Sequence, residues 1–199
     1  LKLIDDVSKI EDKTIMVVSQ KDGSIESPKT SDIYHVGTLA TVMKVFSMPD
    51  DSKSAIVKGI KRVKVTRFTQ EKPYFKSEVS DIKEQENFTE EVKTITSNLK
   101  SLFSSLIEIA PYLSNEQLNV ITNIQDPSKF ADKVISLLNI STPEKQLILE
   151  ESDVAKKMEQ VLVIVNKEIQ KIELGDKIQA DVQDEISKSQ KEYYLREQL

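Results

Sequence analysis

The feature that most constrains the fold is an uninterrupted helical pattern from Asp153 to Leu199, the last residue. Apolar residues recur along its first part at intervals of three and four, at Val154, Met158, Val161, Val165, Ile169 and Ile172. This spacing predicts one stripe that packs on preceding helices. Gly175 is expected to bend the helix, and a spacing of four then continues at Ile178, Val182 and Ile186. A helix of about 47 residues is roughly 70 Å long, so its far end is predicted to meet another domain or another copy of the chain.

The first 86 residues have a different pattern, which is typical of β-structure. Two long segments, residues 34–46 and 54–68, are rich in Val, Ile and Thr, and the Pro/Asp turn of residues 48–53 separates them. Such a pair predicts a hairpin, with Gly37 and Gly59 at bulges or bends inside the strands. Residues 14–19 and 72–80 are predicted as further strands, after one short helix at the start. The result is a small, strongly bent β lobe.

Helical spacing replaces this pattern from residue 87 onward. A long helix ends at Pro111, and further helices are predicted at 115–124, at 127–138 behind an Asp126 N-cap, and after Ser141 or Thr142, both good caps. We therefore predict an α+β fold with three parts. They are a β-rich lobe at 1–86, a helical lobe at 87–152 and a long projecting helix at 153–199.

Scarce residue types exclude several kinds of site. The four glycines lie at least 14 positions apart, so no Gly-rich phosphate loop exists. The absence of cysteine and the single histidine, His35, exclude the usual zinc ligand sets, and His35 reads as an ordinary strand-edge residue. The charge is +1 over residues 1–86 and −6 over residues 87–199, which argues against a general nucleic-acid binder. We predict no catalytic, cofactor or metal site in this segment.

Two surfaces are candidates for binding. The turn places Phe46, Met48 and Pro49 near a hairpin tip, where apolar side chains suit a protein partner; the alternative is that Phe46 folds back onto the core. A basic stripe could contact a polyanion or be a solvated strand face, and it consists of Lys58, Lys61, Arg62, Lys64 and Arg67.

A resemblance to a known family extends over nearly the whole chain. The tail SQKEYYLREQL, residues 189–199, closely resembles the segment of ATP-dependent Lon proteases that leads into their AAA+ ATPase module, with Lys191 where the family usually has Arg. Weaker matches to family motifs occur upstream in the expected order, at residues 35–40, 57–63, 73–74, 130–132 and 144–150. The Pro-Asp-Asp turn replaces a more usual Pro-Asp-Gly.

This resemblance implies an N-terminal fragment of a Lon protease. The β lobe would resemble PUA folds and lack a first strand upstream, while the ATPase, with its ATP and Mg, and the Ser-Lys peptidase would lie outside the chain. The fragment itself would be non-catalytic, and its partners would be unfolded or tagged proteins and the other subunits of a homo-hexamer. No apolar run approaches the roughly 18–20 residues that a membrane span needs, so we predict no membrane partner. The resemblance implies the bacterial cytoplasm, with the mitochondrial matrix as the less favoured alternative. The predicted junction with the ATPase module or a neighbouring subunit is Tyr193, Tyr194, Leu195 and Leu199.

Two alternatives stay open at this point. One is a stand-alone Lon-type binding domain with a PUA-like lobe. The other is a nucleic-acid-binding module that uses the basic stripe, whose affinity would fall steeply with salt.

Overall fold

The computed structural model describes residues 2–49, 52–84 and 89–197, and it confirms the α+β class. The chain forms two compact units. One contains residues 1–86 together with Asn139–Asp153, and the other contains Asn87–Leu138 together with Val154–Leu199. In chain order the elements are α1 (Lys2–Val7), β1 (Thr14–Val17), β2 (Val36–Ser47), β3 (Lys53–Gln70), β4 (Lys76–Asp81), α2 (Glu90–Ile109), α3 (Asn115–Thr122), α4 (Pro127–Leu137), α5 (Thr142–Glu150) and α6 (Val154–Glu197).

The first unit contains an antiparallel sheet with the strand order β1-β2-β3-β4. The predicted hairpin is confirmed as β2 and β3, which pair from Val36 opposite Lys64 to Ser47 opposite Lys53. Asp50 and Asp51 of the predicted turn lie outside the described residues. Val63 and Val65 are buried, as their alternation with basic neighbours predicts.

The two strand glycines have different roles. The register shifts next to Gly59, where Ile60 is the extra residue of a bulge, so the prediction for Gly59 is close to what is found. Gly37 pairs regularly with Val63. A Cβ atom at Gly37 would lie 2.2 Å from the backbone oxygen of Val17, so Gly37 permits a close approach of β1 rather than a bulge.

Helix α5 belongs to the sheet-containing unit, whereas the sequence placed residues 139–152 in the helical lobe. The amide Nε2 of Gln146 donates to the backbone oxygen of Val36 at 3.0 Å. The guanidinium of Arg62 donates to the backbone oxygens of Leu149 at 2.8 Å and Glu151 at 2.7 Å. These bonds join segments more than 80 residues apart, so local periodicity does not reveal them.

The second unit packs α6 along α2 and α4, with α3 beside α2 and α4. Asp126 is the N-cap of α4 and Pro127 its first residue, as predicted. A buried charge lies between α4 and α6, where the ammonium of Lys157 is 2.5 Å from a carboxylate oxygen of Asp132 and donates to the Ser128 hydroxyl at 2.9 Å. Burial of an ammonium requires such partners, because an uncompensated charge away from water is costly.

Helix α6 is continuous over 44 residues and runs through Gly175 without a break. The predicted stripe is buried at Val154, Met158, Val161 and Val165, and partly buried at Ile169 and Ile172. Apolar side chains farther along are about half exposed, and we call Leu174, Ile178, Val182 and Ile186 the helix stripe.

Candidate functional site

Exposed apolar side chains concentrate on the part of the β2–β3 hairpin nearest its turn. They are 38% to 58% exposed, although a folded chain normally covers its larger apolar groups where it can. We call this set the hairpin cluster, and it consists of Met43, Phe46, Met48, Ile56, Val57 and Ile60.

The end of the hairpin nearest its turn is exposed on both faces, and two bulges interrupt its pairing. Met43 and Ile60 are the extra residues where the β2–β3 register shifts. None of the residues 43–47 of β2 or 53–61 of β3 is buried, so side chains on both faces of this end of the hairpin meet solvent. Both extra residues are themselves more than half exposed. The apolar side chains are therefore exposed because neither face of this end of the hairpin is covered, and the two bulges add Met43 and Ile60 to them.

The predicted tip residues lie on this surface. Phe46 is partly exposed, and the ammonium of Lys44 lies 4.8 Å from its ring centroid, a cation–π distance. Met48 and Pro49 are exposed. Sequence reasoning missed Met43, Ile56, Val57 and Ile60, because two strands of apolar residues without strict alternation do not indicate which side chains face solvent.

Helix α1 is held near the hairpin by two polar contacts. The Lys53 ammonium bonds the Asp5 carboxylate, and this hydrogen bond, with the attraction of nearby cations, holds the pKa of Asp5 below its ordinary value. The Tyr74 hydroxyl donates to Asp6 at 2.9 Å, which raises the pKa of Tyr74 because ionised phenol would lose that bond. Two residues of one short helix thus contact the start of β3 and the connection between β3 and β4.

The basic stripe is largely paired with acids in the structure. Lys61 contacts Asp81 at 2.7 Å and Arg67 contacts Glu78 at 2.7 Å. The Arg62 side chain is only 10% exposed, and its guanidinium binds Glu84 besides its two carbonyl oxygens. Arg62 therefore anchors α5 and offers little of its charge to solvent. Lys58 and Lys64 are exposed, and polyanion contact stays a prediction.

The predicted junction residues lie at the end of the chain. Tyr193 is exposed on α6. The side chains of Tyr194 and Leu195 are outside the described part of the structure, and so is Leu199. The helix stripe precedes these residues on α6, and the sequence identified three of its four members.

The described residues contain no group of three metal-binding side chains. None of the described helices combines the length and apolarity of a membrane span. His35 packs edge-on against Phe68, with ring centroids 5.5 Å apart, and its Nε2 lies 3.2 Å from the Thr30 carbonyl oxygen. These contacts agree with the interpretation of His35 as a strand-edge residue.

Comparisons with known proteins agree with the resemblance of the sequence motifs. A family model described as the ATP-dependent protease La (LON) substrate-binding domain matches residues 1–167. Lon protease of Koribacter versatilis is 39% identical over 191 residues, which are 95% of this chain and 24% of that protein. Lon protease of Dictyoglomus thermophilum is 36% identical over 175 residues, which are 88% of this chain and 22% of that protein. The chain thus spans about a quarter of the length of these relatives.

Solved structures share the fold at lower sequence identity. The N-terminal domain of Mycobacterium avium complex Lon protease superposes with a TM-score of 0.63, at 20% identity and with 82% of each chain covered. A Lon N-terminal domain protein from Xanthomonas campestris superposes with a TM-score of 0.53 at 16% identity, with 81% of each chain covered. The family match covers most of the chain and the fold agrees with it, so the chain belongs to the Lon protease substrate-binding domain family.

Proposed function

We propose that this chain is the non-catalytic region with which a Lon protease holds its protein substrates, and that the hairpin cluster is the contact surface. The observation that carries the proposal is the exposure of six large apolar side chains on one hairpin in a chain of a substrate-binding family. Unfolded and damaged proteins expose apolar side chains that folded proteins bury. An exposed apolar surface on this chain would therefore bind unfolded proteins in preference to folded ones.

Each contact on this surface is expected to be weak. Full burial of one large apolar side chain stabilises a complex by about 1.5–3 kcal/mol, and these side chains are already about half buried. Covering three or four of them would contribute roughly 4 kcal/mol, from which the ordering of a flexible substrate subtracts. The resulting affinity of one copy would be millimolar or weaker. Several copies held on one assembly would raise the effective concentration and compensate.

The whole protein would be an ATP-dependent serine endopeptidase with ATP and Mg bound outside this chain, acting in the cytoplasm as a homo-hexamer. In that assembly α6 would connect the recognition units to the ATPase module. Its helix stripe leaves four apolar side chains about half exposed, which favours a second role in assembly through a neighbouring copy of the chain. Tyr193, Tyr194, Leu195 and Leu199 would pack at the junction that follows.

Fluorescence anisotropy of a permanently unfolded protein tests the recognition proposal. The probe is labelled, reduced and carboxymethylated α-lactalbumin, titrated with this chain, and native α-lactalbumin is the folded control. Selective binding of the unfolded form is expected. Phe46→Ser and Met48→Ser should each weaken binding about threefold or more, since each removes part of the apolar contact.

The matched control is Val120→Ser, which removes an apolar side chain that is 59% exposed on α3, outside the hairpin. It should leave the affinity unchanged. Equal losses for Val120→Ser and Phe46→Ser would show general stickiness rather than a site. Absence of any rise in anisotropy up to several millimolar chain would contradict recognition by this segment alone.

Assembly is tested by sedimentation. Ile178→Gln and Val182→Gln together should reduce self-association of the chain, whereas Val163→Gln should not, although it removes an equally exposed side chain from the first half of the same helix. A chain that is monomeric at all concentrations, with or without these substitutions, would contradict a role of the helix stripe between copies.

A further inference from the structure

The open edge of β2 beside the hairpin cluster offers backbone groups as well as apolar side chains. Strand β2 has 12 residues, but β1 pairs with only four of them, from Thr38 to Thr41. The backbone N–H of Val42 then donates to Lys13 at 2.7 Å, where the chain turns away from the sheet. Within the part of the chain that the structure describes, residues 43–47 have a strand neighbour on one side only, which is β3.

We propose that an extended segment of the substrate binds as an added strand along residues 43–47 of β2, in the row that β1 occupies farther along the same strand. This inference rests on the proposed function and specifies its ligand. An open edge presents unpaired N–H and C=O groups that a further strand satisfies. Backbone bonding of this kind tolerates many sequences, because every peptide unit except proline carries the same groups.

The side chains around the edge specify the chemistry of the bound strand. Every second residue of an added strand would point toward the face on which Phe46 or Met43 lies. Those residues should be apolar and β-branched, and the residues between them should be polar. Residues 42–61 of the hairpin contain four lysines and, in the turn, the two acids Asp50 and Asp51. Two of the lysines, Lys53 and Lys61, are paired with acids of other elements. Lys44 and Lys58 are exposed, and since Lys44 lies on the open edge itself, an acidic residue beside it complements the edge.

The irregularity of this edge limits how long the added strand can be. The bulge at Met43 and the charge of Lys44 are features by which natural sheets discourage pairing between their edges. They leave a short stretch that supports only a few backbone bonds. Such an edge suits transient capture of an unfolded chain and disfavours the extended pairing that leads to aggregation.

N-methylated peptides test this inference, because a methyl group on a backbone nitrogen removes one donor and leaves the side chains in place. The probe is the labelled peptide acetyl-EVTVTVE-amide, compared with versions methylated at one nitrogen each. Methylation at every second residue should weaken binding about fivefold or more, the loss expected for one hydrogen bond. Methylation at the residues between should change it less than twofold. Amide hydrogen exchange of residues 43–47 should slow when the unmodified peptide binds.

Charge reversal supplies an independent check. Lys44→Glu should weaken binding of the acidic peptide about threefold and strengthen binding of acetyl-KVTVTVK-amide. Lys44 is exposed, so the substitution should not affect folding.

The outcomes separate this inference from the proposed function. If carboxymethylated α-lactalbumin binds but the peptide does not, or if methylation has no alternating effect, the added strand is wrong and side-chain capture stands. Slowed exchange only at other segments would also overturn the added strand. If neither the unfolded protein nor the peptide binds, recognition by this chain fails as a whole.

Discussion

Replacing Arg62 with Met is expected to destabilise the sheet-containing unit by roughly 3 kcal/mol. The guanidinium donates to the carbonyl oxygens of Leu149 and Glu151 at the end of α5 and binds the carboxylate of Glu84. A hydrogen bond with a charged partner contributes about 1.5–3 kcal/mol. We use the lower value for each of the two carbonyl bonds, because water can bond the carbonyl oxygens at the end of α5 once Arg62 is removed. The Glu84 side chain is 29% exposed, so water can solvate its carboxylate in the variant. The loss of this ion pair therefore adds little to the destabilisation.

Urea unfolding followed by circular dichroism measures the free energy, since the chain has no tryptophan. Hydrogen exchange locates the effect, and the amides of residues 142–150 should lose protection before those of β2 and β3. The matched control is Lys64→Met, which removes the same charge from an exposed position two residues along the same strand. It should change the stability by less than about 0.5 kcal/mol.

Similar stabilities for the two variants would refute this reasoning. The polyanion interpretation makes the opposite prediction for Arg62, because a residue that serves a phosphate can be removed without loss of stability. A variant that keeps its stability but loses salt-dependent binding to nucleic acid would therefore assign Arg62 to the binding surface.

Three further predictions concern particular sites. Gly37→Ala should destabilise the chain by about 3 kcal/mol in thermal unfolding, because the new Cβ would lie 2.2 Å from a backbone oxygen of β1. Gly23→Ala is the control and should be neutral or stabilising, since a Cβ there meets nothing within 4 Å. Equal effects of the two substitutions would contradict the close approach of β1 to Gly37. Asp132→Ala should lower the free energy of unfolding in urea by roughly 2 kcal/mol. This is less than the loss of a fully buried ion pair would be, because Asp132 is 43% exposed. Lys157→Met should change the free energy of unfolding by no more than about 1 kcal/mol. In the Lys157→Met background, removal of Asp132 should cost little, and an undiminished cost would show that the ion pair is irrelevant. The pKa of Asp5 should lie below its ordinary value of 3.8 in an NMR titration. The contribution of ionised Asp5 to stability is therefore present above pH 3.8 and is lost as the pH falls through the lowered pKa. A titration midpoint at or above 3.8 would show that the bond from Lys53 to Asp5 does not form in solution.

Elements governed by neighbouring residues could be predicted from the sequence. The cap Asp126 before Pro127 predicts the start of α4, and the alternation of Val63 and Val65 predicts their burial. The β2–β3 hairpin follows from two β-branched segments and one turn. In each case the determining residues lie within a few positions of one another, where turn chemistry and periodicity act directly.

Features that depend on distant contacts could not be predicted. The position of α5 beside the sheet depends on Gln146, which bonds Val36 over 110 residues, and on Arg62, which is 87 residues from Leu149. In the sequence Arg62 is one member of a basic run. The sequence located Phe46 and Met48 at the hairpin but not Met43 or Ile60. Both faces of this end of the hairpin are exposed, and no local pattern shows where a long hairpin is left uncovered or where it bulges.

The spacing of the helix stripe predicts how a second copy would contact it. Leu174, Ile178, Val182 and Ile186 are four residues apart, and each step turns about 40° around a helix of 3.6 residues per turn. Such a ridge packs against its equivalent at a crossing angle of about −50°, rather than along a coiled coil with a seven-residue repeat. The chain has no cysteine, so single cysteines report the contact directly. Disulfide formation between copies should be fast for Ile178→Cys or Val182→Cys, near the crossing point, and slow for Leu174→Cys and Ile186→Cys. Equally fast crosslinking at all four positions would require helices that run side by side, because only then do equivalent residues meet along the whole stripe.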